Sequence, residues 1–332
     1  MERDREPVLA IQVTGAGSAD DLEWVPVPAP ALRAGEVLVD VAATAVNRAD
    51  LRQRAGAYPV PAGASEILGL ECSGRILAVA PDVTGWSVGD QVCALLDGGG
   101  YAEQVAVPAT QLMPVPVGVT LEEAAALPEV ACTAYSNLTM QAGLGPGQSV
   151  LIHGGGSGLG TLAVQYAVAL GVTVLVTVGS ARKAEACEAL GATAINYRTE
   201  SFLDRVRELT SGEGVDVVLD CVGGPYLAPN IDALKLEGQL LLVGLLGGRA
   251  AELDLEAVMR RRLTVRGSTL RARSAEAKAE IVAGTVAGLW PLVAGGQVRP
   301  VVDRVMQVEE AGAAHRLVEA GQNIGKVVLR VA

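Results

Sequence analysis

The chain has 332 residues; half of them are hydrophobic and only 19% are charged. A chain of this length and composition can bury the cores of about two domains, which excludes a disordered protein. The formal net charge of −11 argues against nucleic acid or an anionic membrane surface as a partner. It does not exclude a local basic pocket for a phosphate group.

Three features predict a soluble, cytoplasmic protein. Residues 1–7 lack the apolar core that a signal peptide needs. The longest apolar runs are too short to span a bilayer. The five cysteines are scattered and odd in number, which fits neither a disulfide framework nor the paired spacing of a structural zinc site.

The predicted elements divide the chain into two kinds of region. Short β-branched or alternating runs between Pro and Gly residues predict strands at 8–13, 37–45, 72–79 and 91–96. The pattern changes at Thr120, which with Glu122 and Glu123 begins an Ala-rich predicted helix. The first third is therefore expected to be rich in strands, and the part after it to contain helices.

Strands and helices alternate through the middle of the chain. The predicted strands are 149–153, 172–178, 193–197, 215–221 and 239–244, and the helices between them are 160–170, 182–190, 200–210 and 227–234. This alternation is typical of a parallel sheet covered by helices. After it, the sequence predicts a long helix at 275–294, a strand at 301–305, a helix near 309–320 and a strand at 326–331.

A glycine-rich loop at residues 154–160 separates the first of these strands from its helix. Backbone N–H groups in such a loop can approach a pyrophosphate, which the helix N-terminus then attracts. The literal GxGxxG pattern is absent, because Ser157 stands where the second glycine would be. The position between strand and helix favours dinucleotide binding over a simple packing turn.

The end of the following strand bears on the identity of the cofactor. A site for NAD usually offers an acidic residue about 20 residues after the loop. Here the strand ends in Gly179, Ser180, Arg182 and Lys183, with no acid. Ser180 and the two cations can hold a 2′-phosphate, which favours NADP; the alternative is that the cations are solvated charges in the first turn of a helix.

The chain has only two histidines, His153 and His315, and no paired cysteines, so we expect no catalytic zinc. His153 lies beside the glycine loop and is interpreted as a packed or loop-anchoring residue. His315 lies in a late predicted helix and is interpreted as structural or exposed.

Motifs along nearly the whole chain resemble one known family. They are Ala45-Val-Asn47-Arg48-Ala-Asp50, Gly56-Ala-Tyr58-Pro59, Gly69-Leu-Glu71-Cys-Ser-Gly74, residues 83–92, the glycine loop, residues 179–183, Asn196-Tyr197, residues 244–248 and residues 323–329. In order and spacing they are similar to the zinc-independent quinone oxidoreductases of the medium-chain dehydrogenase/reductase superfamily. The branch with the strongest resemblance is named after the p53-inducible quinone oxidoreductase.

This resemblance implies an α/β fold in two domains. A GroES-like, β-rich catalytic domain is expected at residues 1–125, completed by 267–332. A doubly wound, parallel-sheet Rossmann domain that binds NADP is expected at 126–266. Relatives are usually dimers, so a homodimer is expected, with the strand at 238–244 as a plausible edge for sheet pairing. Zinc-dependent relatives carry a Cys-His pair and a Gly-His-Glu motif where this chain has Asn47-Arg48 and Gly69-Leu70-Glu71, so no metal is expected.

The resemblance also implies site residues. Asn47 and Tyr58 are expected to line the nicotinamide or substrate pocket as catalytic residues. The alternatives are that Asn47 caps a turn, that Tyr58 packs at a rim and that Lys326 is a solvated strand-end charge. The residues expected to bind the cofactor are Thr133, Gly155, Ser157, Gly158, Leu159, Gly160, Ser180, Arg182, Lys183, Tyr197, Gly244, Leu245, Asn323 and Lys326.

The expected activity is NADPH-dependent reduction of a quinone, by hydride or single-electron transfer and without metal. Asn47 or Tyr58 can stabilise negative charge on the quinone oxygen, and water can supply the proton. The alternative enzyme is an NADPH-dependent enoyl or α,β-unsaturated ketone reductase, which needs a proton donor, with Tyr58 as the obvious candidate. A binding role on RNA is disfavoured, because the chain has few aromatic residues and no basic stripe.

Overall fold

The computed structural model describes residues 6–332. Most of the segment on which the signal-peptide argument rests lies outside the described residues. In chain order the strands are β1 (Val8–Val13), β2 (Leu22–Val27), β3 (Glu36–Ala45), β4 (Glu71–Val79), β5 (Gln91–Leu95), β6 (Gln104–Pro108), β7 (Leu112–Pro114), β8 (Ser149–His153), β9 (Thr173–Val178), β10 (Thr193–Asn196), β11 (Val215–Asp220), β12 (Leu234–Leu242), β13 (Thr264–Gly267), β14 (Val302–Gln307) and β15 (Lys326–Arg330).

The helices fall between these strands. In chain order they are α1 (Arg48–Arg54), α2 (Leu121–Ala124), α3 (Pro128–Ala134), α4 (Gly158–Ala169), α5 (Ala181–Ala189), α6 (Phe202–Leu209), α7 (Leu227–Ala233), α8 (Leu255–Arg261), α9 (Ala275–Gly288), α10 (Trp290–Ala294) and α11 (Ala311–Glu319). A π-helical segment, Tyr135–Gln141, continues α3.

The chain forms two compact units. The first unit comprises Met1–Cys132, Arg271–Ala294 and Pro300–Ala332, and the second comprises Thr133–Leu270 and Gly295–Arg299. The first unit is therefore assembled from both ends of the chain.

The second unit contains a six-stranded sheet in the order β10-β9-β8-β11-β12-β13, in which every neighbouring pair is parallel. Its central strands are mostly buried, and all six residues of β11 are buried. The order reverses between β8 and β11, which is the arrangement of a Rossmann sheet. This confirms the predicted doubly wound α/β fold.

The expectation that the strand near 238–244 forms a sheet edge is wrong. That segment lies in β12, which pairs with β11 on one side and β13 on the other. The edge strand on this side is β13, which is short and largely exposed. Strand order depends on how the crossovers pack and not on the composition of one strand, so the sequence pattern did not identify the edge.

The first unit contains a seven-stranded sheet in the order β14-β15-β3-β4-β5-β7, with β6 also paired to β3. The antiparallel pairing of β15 with β3 places Val328 opposite Ala45. As a result, the start of β15, the end of β3 and the start of β4 lie close together, and these three positions carry the candidate site of this unit.

The predicted helix at 275–294 is divided at Leu289 into α9 and α10. Within the described residues, 275–294 is long and apolar enough to cross a membrane by length and composition alone, a test that a core helix of a soluble protein also passes. Lys278 on α9 is buried and forms an ion pair with Asp97, with 2.5 Å between Nζ and Oδ2. The helix is thus anchored within the first unit by a charged contact.

We predict that Gly74→Ala strongly destabilises the first unit. A Cβ atom at Gly74 in β4 would overlap the carbonyl oxygen of Asp40 in β3. Relief of this overlap requires the two strands to separate, at a cost of about 1 to 3 kcal/mol or more. The free energy of unfolding from urea titration is the measurement.

Gly145→Ala is the matched control, because a Cβ atom there meets nothing within 4 Å. The substitution should change the free energy of unfolding by less than about 0.5 kcal/mol. Equal stability of the two variants would contradict the close approach of β3 and β4.

Candidate active site

The glycine-rich loop of the second unit follows β8, at the point where the strand order reverses. Gly154 has a φ of +73°, a conformation that favours glycine. A Cβ atom at Gly160 would overlap the carbonyl oxygens of Gly154 and Gly155, so the first turn of α4 packs directly on the loop. Such a loop exposes backbone N–H groups at a helix N-terminus, where an anion is stabilised.

Ser157 begins α4 as its N-cap. Its Oγ accepts the N–H of Gly160 at 3.0 Å, which leaves the hydroxyl hydrogen to be donated elsewhere. The residues predicted to hold a pyrophosphate, Gly155 and residues 157–160, therefore lie together at the junction of loop and helix.

The residues predicted to hold a 2′-phosphate also lie together. Ser180 is the N-cap of α5 and accepts the N–H of Lys183 at 3.3 Å. A Cβ atom at Gly179 would lie 2.6 Å from the hydroxyl oxygen of Tyr197, and one at Gly156 would lie 2.9 Å from Cδ of Lys183. The stem of Lys183 thus crosses the glycine loop, and the hydroxyl of Tyr197 lies over Gly179.

The other predicted cofactor residues of the second unit are more scattered. Arg182 is exposed in the first turn of α5. Thr133 is half-buried, and its carbonyl oxygen accepts the side-chain N–H of Asn137 at 2.8 Å. Gly244 and Leu245 follow β12, and the side chain of Leu245 is 42% exposed beside the backbone of Gly223.

His153 is a buried anchor of this unit, as the sequence predicted. Its Nε2 lies 2.6 Å from Oδ1 of Asn230, and its Nδ1 lies 3.0 Å from Oγ1 of Thr177. Asn230 in turn donates to Asp220 at 3.0 Å. Burial lowers the pKa of His153, so the ring is neutral and fixes β8 against β9 and α7.

The first unit buries a charged cluster at the start of β15. Nζ of Lys326 lies 2.6 Å from Oε1 of Glu71 and 2.6 Å from Oδ1 of Asn47. Lys326 is 4% exposed and Glu71 is fully buried, which excludes the alternative that Lys326 is a solvated strand-end charge. Asn323, three residues earlier, is also buried and donates to the carbonyl oxygen of Gly325.

The polar atoms of Asn47 are all used inside the protein. Its Nδ2 donates to Oε1 of Glu71 at 2.7 Å and to the carbonyl oxygen of Ala45 at 3.3 Å, while Oδ1 accepts from Lys326. Its backbone N–H donates to Asp50, which closes the first turn of α1. In this structure Asn47 begins a helix and belongs to the ion-pair cluster.

A second buried network of hydrogen bonds runs from Arg54 through His315 and Tyr101 to Asp50. Arg54 can only donate, so its contact of 3.1 Å with Nδ1 of His315 places the ring hydrogen on Nε2, which donates to Tyr101. The hydroxyl of Tyr101 donates to Asp50 at 3.5 Å. Burial, reinforced by the charge of Arg54, lowers the pKa of His315 to about 3, so this histidine is structural.

Tyr58 presents a different environment. It is half-buried, and its ring lies 5.4 Å from the guanidinium carbon of Arg271, a cation–π contact. Arg271 is itself held by Gln53 and by the carbonyl oxygen of Asp97. The hydroxyl of Tyr58 makes no hydrogen bond to any other described residue, so it is able to donate to a ligand.

Glu129 is a residue of this cluster that the sequence did not identify. Its backbone N–H donates to Oε2 of Glu71 at 2.9 Å. Burial and the negative charge of Glu71 raise the pKa of its carboxyl group to about 8. The sequence feature that could have identified Glu129 is its position as an acidic residue directly after Pro128 in an otherwise apolar run.

The cluster does not fit a metal ion. Across residues 6–332 no three His, Cys, Asp or Glu side chains are grouped as a metal site requires. The carboxylate of Glu71 and the amide oxygen of Asn47 already share the ammonium group of Lys326. A second cation there would meet direct charge repulsion.

Comparisons with known proteins agree with this architecture. Residues 33–117 match the family described as alcohol dehydrogenase GroES-like domain, which confirms the predicted GroES-like part of the chain. Residues 158–283 match the family described as zinc-binding dehydrogenase. The zinc in that description has no matching donor set among the described residues.

Two relatives cover almost the whole chain. A 2-haloacrylate reductase of Burkholderia sp is 33% identical over 97% of this chain and 98% of its own length. A synaptic vesicle membrane protein VAT-1 homolog of Danio rerio is 33% identical over 99% of this chain and 71% of its own length.

Solved structures are similar over their full length. The Escherichia coli quinone oxidoreductase complexed with NADPH has a TM-score of 0.88 at 27% identity, with 97% of this chain and 100% of that chain covered. An NAD-dependent alcohol dehydrogenase has a TM-score of 0.86 at 31% identity, with 98% and 100% covered.

We predict that Glu71→Gln destabilises the protein by about 3 to 5 kcal/mol, because it leaves the ammonium group of Lys326 buried without its partner charge. The free energy of unfolding is the measurement. Glu208→Gln is the control: it removes the exposed partner of Arg205, a surface ion pair that is expected to contribute little to stability. Similar decreases in the free energy of unfolding of the two variants would contradict a buried ion pair between Glu71 and Lys326.

Proposed function

The chain is an oxidoreductase of the medium-chain dehydrogenase/reductase superfamily, and from this premise we propose that it reduces quinones with NADPH, by hydride or single-electron transfer and without a metal. The observation that carries the proposal is the arrangement in the second unit. A glycine loop at a helix N-terminus lies beside Ser180, Lys183 and Tyr197, where a nucleotide with a 2′-phosphate would be held.

The preference for NADPH rests on charge. No acidic residue stands at the end of β9, where an NAD site would hold the ribose hydroxyls, and Lys183 offers an ammonium group instead. Ser180 adds a hydroxyl whose hydrogen is available, because the backbone N–H of Lys183 occupies only its acceptor side. NADPH bound to the Escherichia coli relative is consistent with this choice.

NADPH, when bound, supplies the reducing equivalents for the substrate. The contribution of the chain is to orient the substrate and to stabilise the negative charge that develops on its oxygen. Tyr58 is the candidate for that contact, because its hydroxyl hydrogen has no partner among the described residues and Arg271 fixes its ring. Asn47 contributes through the cluster that it shares with Glu71 and Lys326.

The proposal of metal-free chemistry is supported by that same cluster, in which a lysine ammonium already satisfies the available oxygen ligands. We further propose a cytoplasmic homodimer, as the family resemblance implies. The short, exposed edge strand β13 provides backbone groups with which a second copy can pair.

A second candidate is reduction of an activated carbon–carbon double bond. The relative named 2-haloacrylate reductase, 33% identical over nearly its full length, favours it. The carboxyl group of Glu129 favours it as well, because this reaction needs a proton for carbon as well as a hydride.

Substrate choice is tested by measuring NADPH and NADH oxidation with small quinones, 2-alkenals, 2-haloacrylate and an enoyl thioester. We expect NADPH to be preferred and quinones to be reduced faster than the alkenes. Faster turnover of the alkenes would replace the first candidate with the second. NADPH binding without oxidation by any quinone would contradict the quinone assignment.

The phosphate site is tested by Lys183→Ala. Loss of a charge-assisted contact to the 2′-phosphate should raise the KM for NADPH about tenfold or more, with little change for NADH. Arg207→Ala is the control, because Arg207 lies on α6 of the same unit and pairs with Asp232 at 3.6 Å. Equal changes for both cofactors would remove Lys183 from the phosphate site.

A further inference from the structure

In and beside the charged cluster of the first unit, some polar side-chain groups have hydrogen-bond or ion-pair partners within the protein and others have none. The side chains of Lys326, Glu71 and Asn47 form hydrogen bonds to one another. The hydroxyl of Tyr58 and the carboxyl group of Glu129 have neither a hydrogen bond nor an ion pair with any described residue. These two groups are therefore the ones that remain to contact a substrate.

The start of α3 fixes the position of Glu129. Its backbone N–H donates to Oε2 of Glu71 at 2.9 Å, so the residue is tied to the ion-pair cluster. Burial raises the pKa of the Tyr58 phenol, and an ionised Glu129 adds to this rise. Glu129 thus lies near both sequence-predicted catalytic positions while remaining partly accessible.

Burial and the neighbouring carboxylates keep a proton on Glu129. Burial is the largest influence and raises its pKa, and the carboxylates of Glu71 and Asp50 act in the same direction. Lys326 and Arg271 oppose them and lower it, and the result is a pKa of about 8. At neutral pH the carboxyl group is therefore mostly protonated and able to donate.

We propose that Glu129 is the acid that protonates carbon during reduction of an α,β-unsaturated carbonyl substrate. This inference rests on the proposed NADPH-dependent reductase function and assigns a substrate class to the same site. Hydride from NADPH adds to the β carbon and gives NADP⁺ and an enolate. The enolate α carbon takes the proton of the Glu129 carboxyl group, and the resulting carboxylate is reprotonated from water. A quinone needs no such donor, because its reduced oxygen takes a proton from water.

The experiment compares the unaltered chain with Glu129→Gln on a 2-alkenal and on a quinone. We expect kcat for the alkenal to fall about a hundredfold or more, and kcat for the quinone to change little. For the unaltered chain, kcat for the alkenal should be level below pH 8 and fall above it, as Glu129 loses its proton. The variant should lack this inflection, while its NADPH affinity, followed by cofactor fluorescence, stays unchanged.

Two further variants sharpen the result. Glu122→Gln, on the neighbouring helix α2, removes a carboxylate paired with Arg330 and should leave both activities unchanged. Glu129→Asp keeps an acid on a shorter side chain and should retain the inflection with a lower kcat. If Glu129→Gln does not fold, the proposal is tested with Glu129→Asp. Absence of the inflection in the pH dependence of its kcat for the alkenal overturns the proposal.

The outcomes separate this inference from the function on which it rests. Unchanged alkenal kinetics in Glu129→Gln overturn the role of Glu129 while quinone reduction stands. Equal losses on both substrates, with weaker NADPH binding, indicate a purely structural role and also overturn it. An unaltered chain that oxidises NADPH with neither substrate overturns the proposed function itself.

Discussion

The buried ion pair between Lys326 and Glu71 is the interaction on which the first unit depends. Removing such charges from water costs several kcal/mol for each ion unless both are paired and hydrogen-bonded. Here the pairing is met only when β15, from the end of the chain, lies against β3, from its beginning. The pairing of β15 with β3 therefore also brings the residues of the charged cluster together.

The same pair also acts on the neighbouring carboxyl group of Glu129. Both carboxylate oxygens of Glu71 are occupied, one by Lys326 and Asn47 and the other by the backbone N–H of Glu129. The carboxylate of Glu71 is therefore fixed in place. Burial is the largest cause of the raised pKa of the Glu129 carboxyl group, and the carboxylate of Glu71 adds to it. Lys326 acts in the opposite direction and lowers that pKa.

Local sequence patterns predicted those strands that are marked by alternation or by a continuous apolar run. The strands Val8–Val13 and Ser149–His153 agree with the sequence prediction at both ends, because alternation or continuous apolar character marks them. The helix Arg48–Arg54 was missed, since its sequence has no apolar period. The contact between Lys326 and Glu71 joins residues 255 positions apart, and no pattern within either segment indicates it. The family resemblance therefore suggested Lys326 as a site residue but did not indicate the partner with which it is buried.

This difference explains why the two halves of the proposed chemistry, phosphate binding and proton donation, were not equally predictable. Phosphate binding depends on consecutive glycines and a helix start, which are properties of adjacent residues. Proton donation depends on what surrounds a carboxyl group, and an acid in the first turn of a helix is, by sequence alone, an ordinary helix-start residue. Burial is the largest cause of the raised pKa of Glu129; Glu71 of β4 and Asp50 of α1 add to it, and Lys326 of β15 opposes them. Under the role proposed for Glu129, the substrate class of the site depends on the surroundings of this one carboxyl group and not on the cofactor motif.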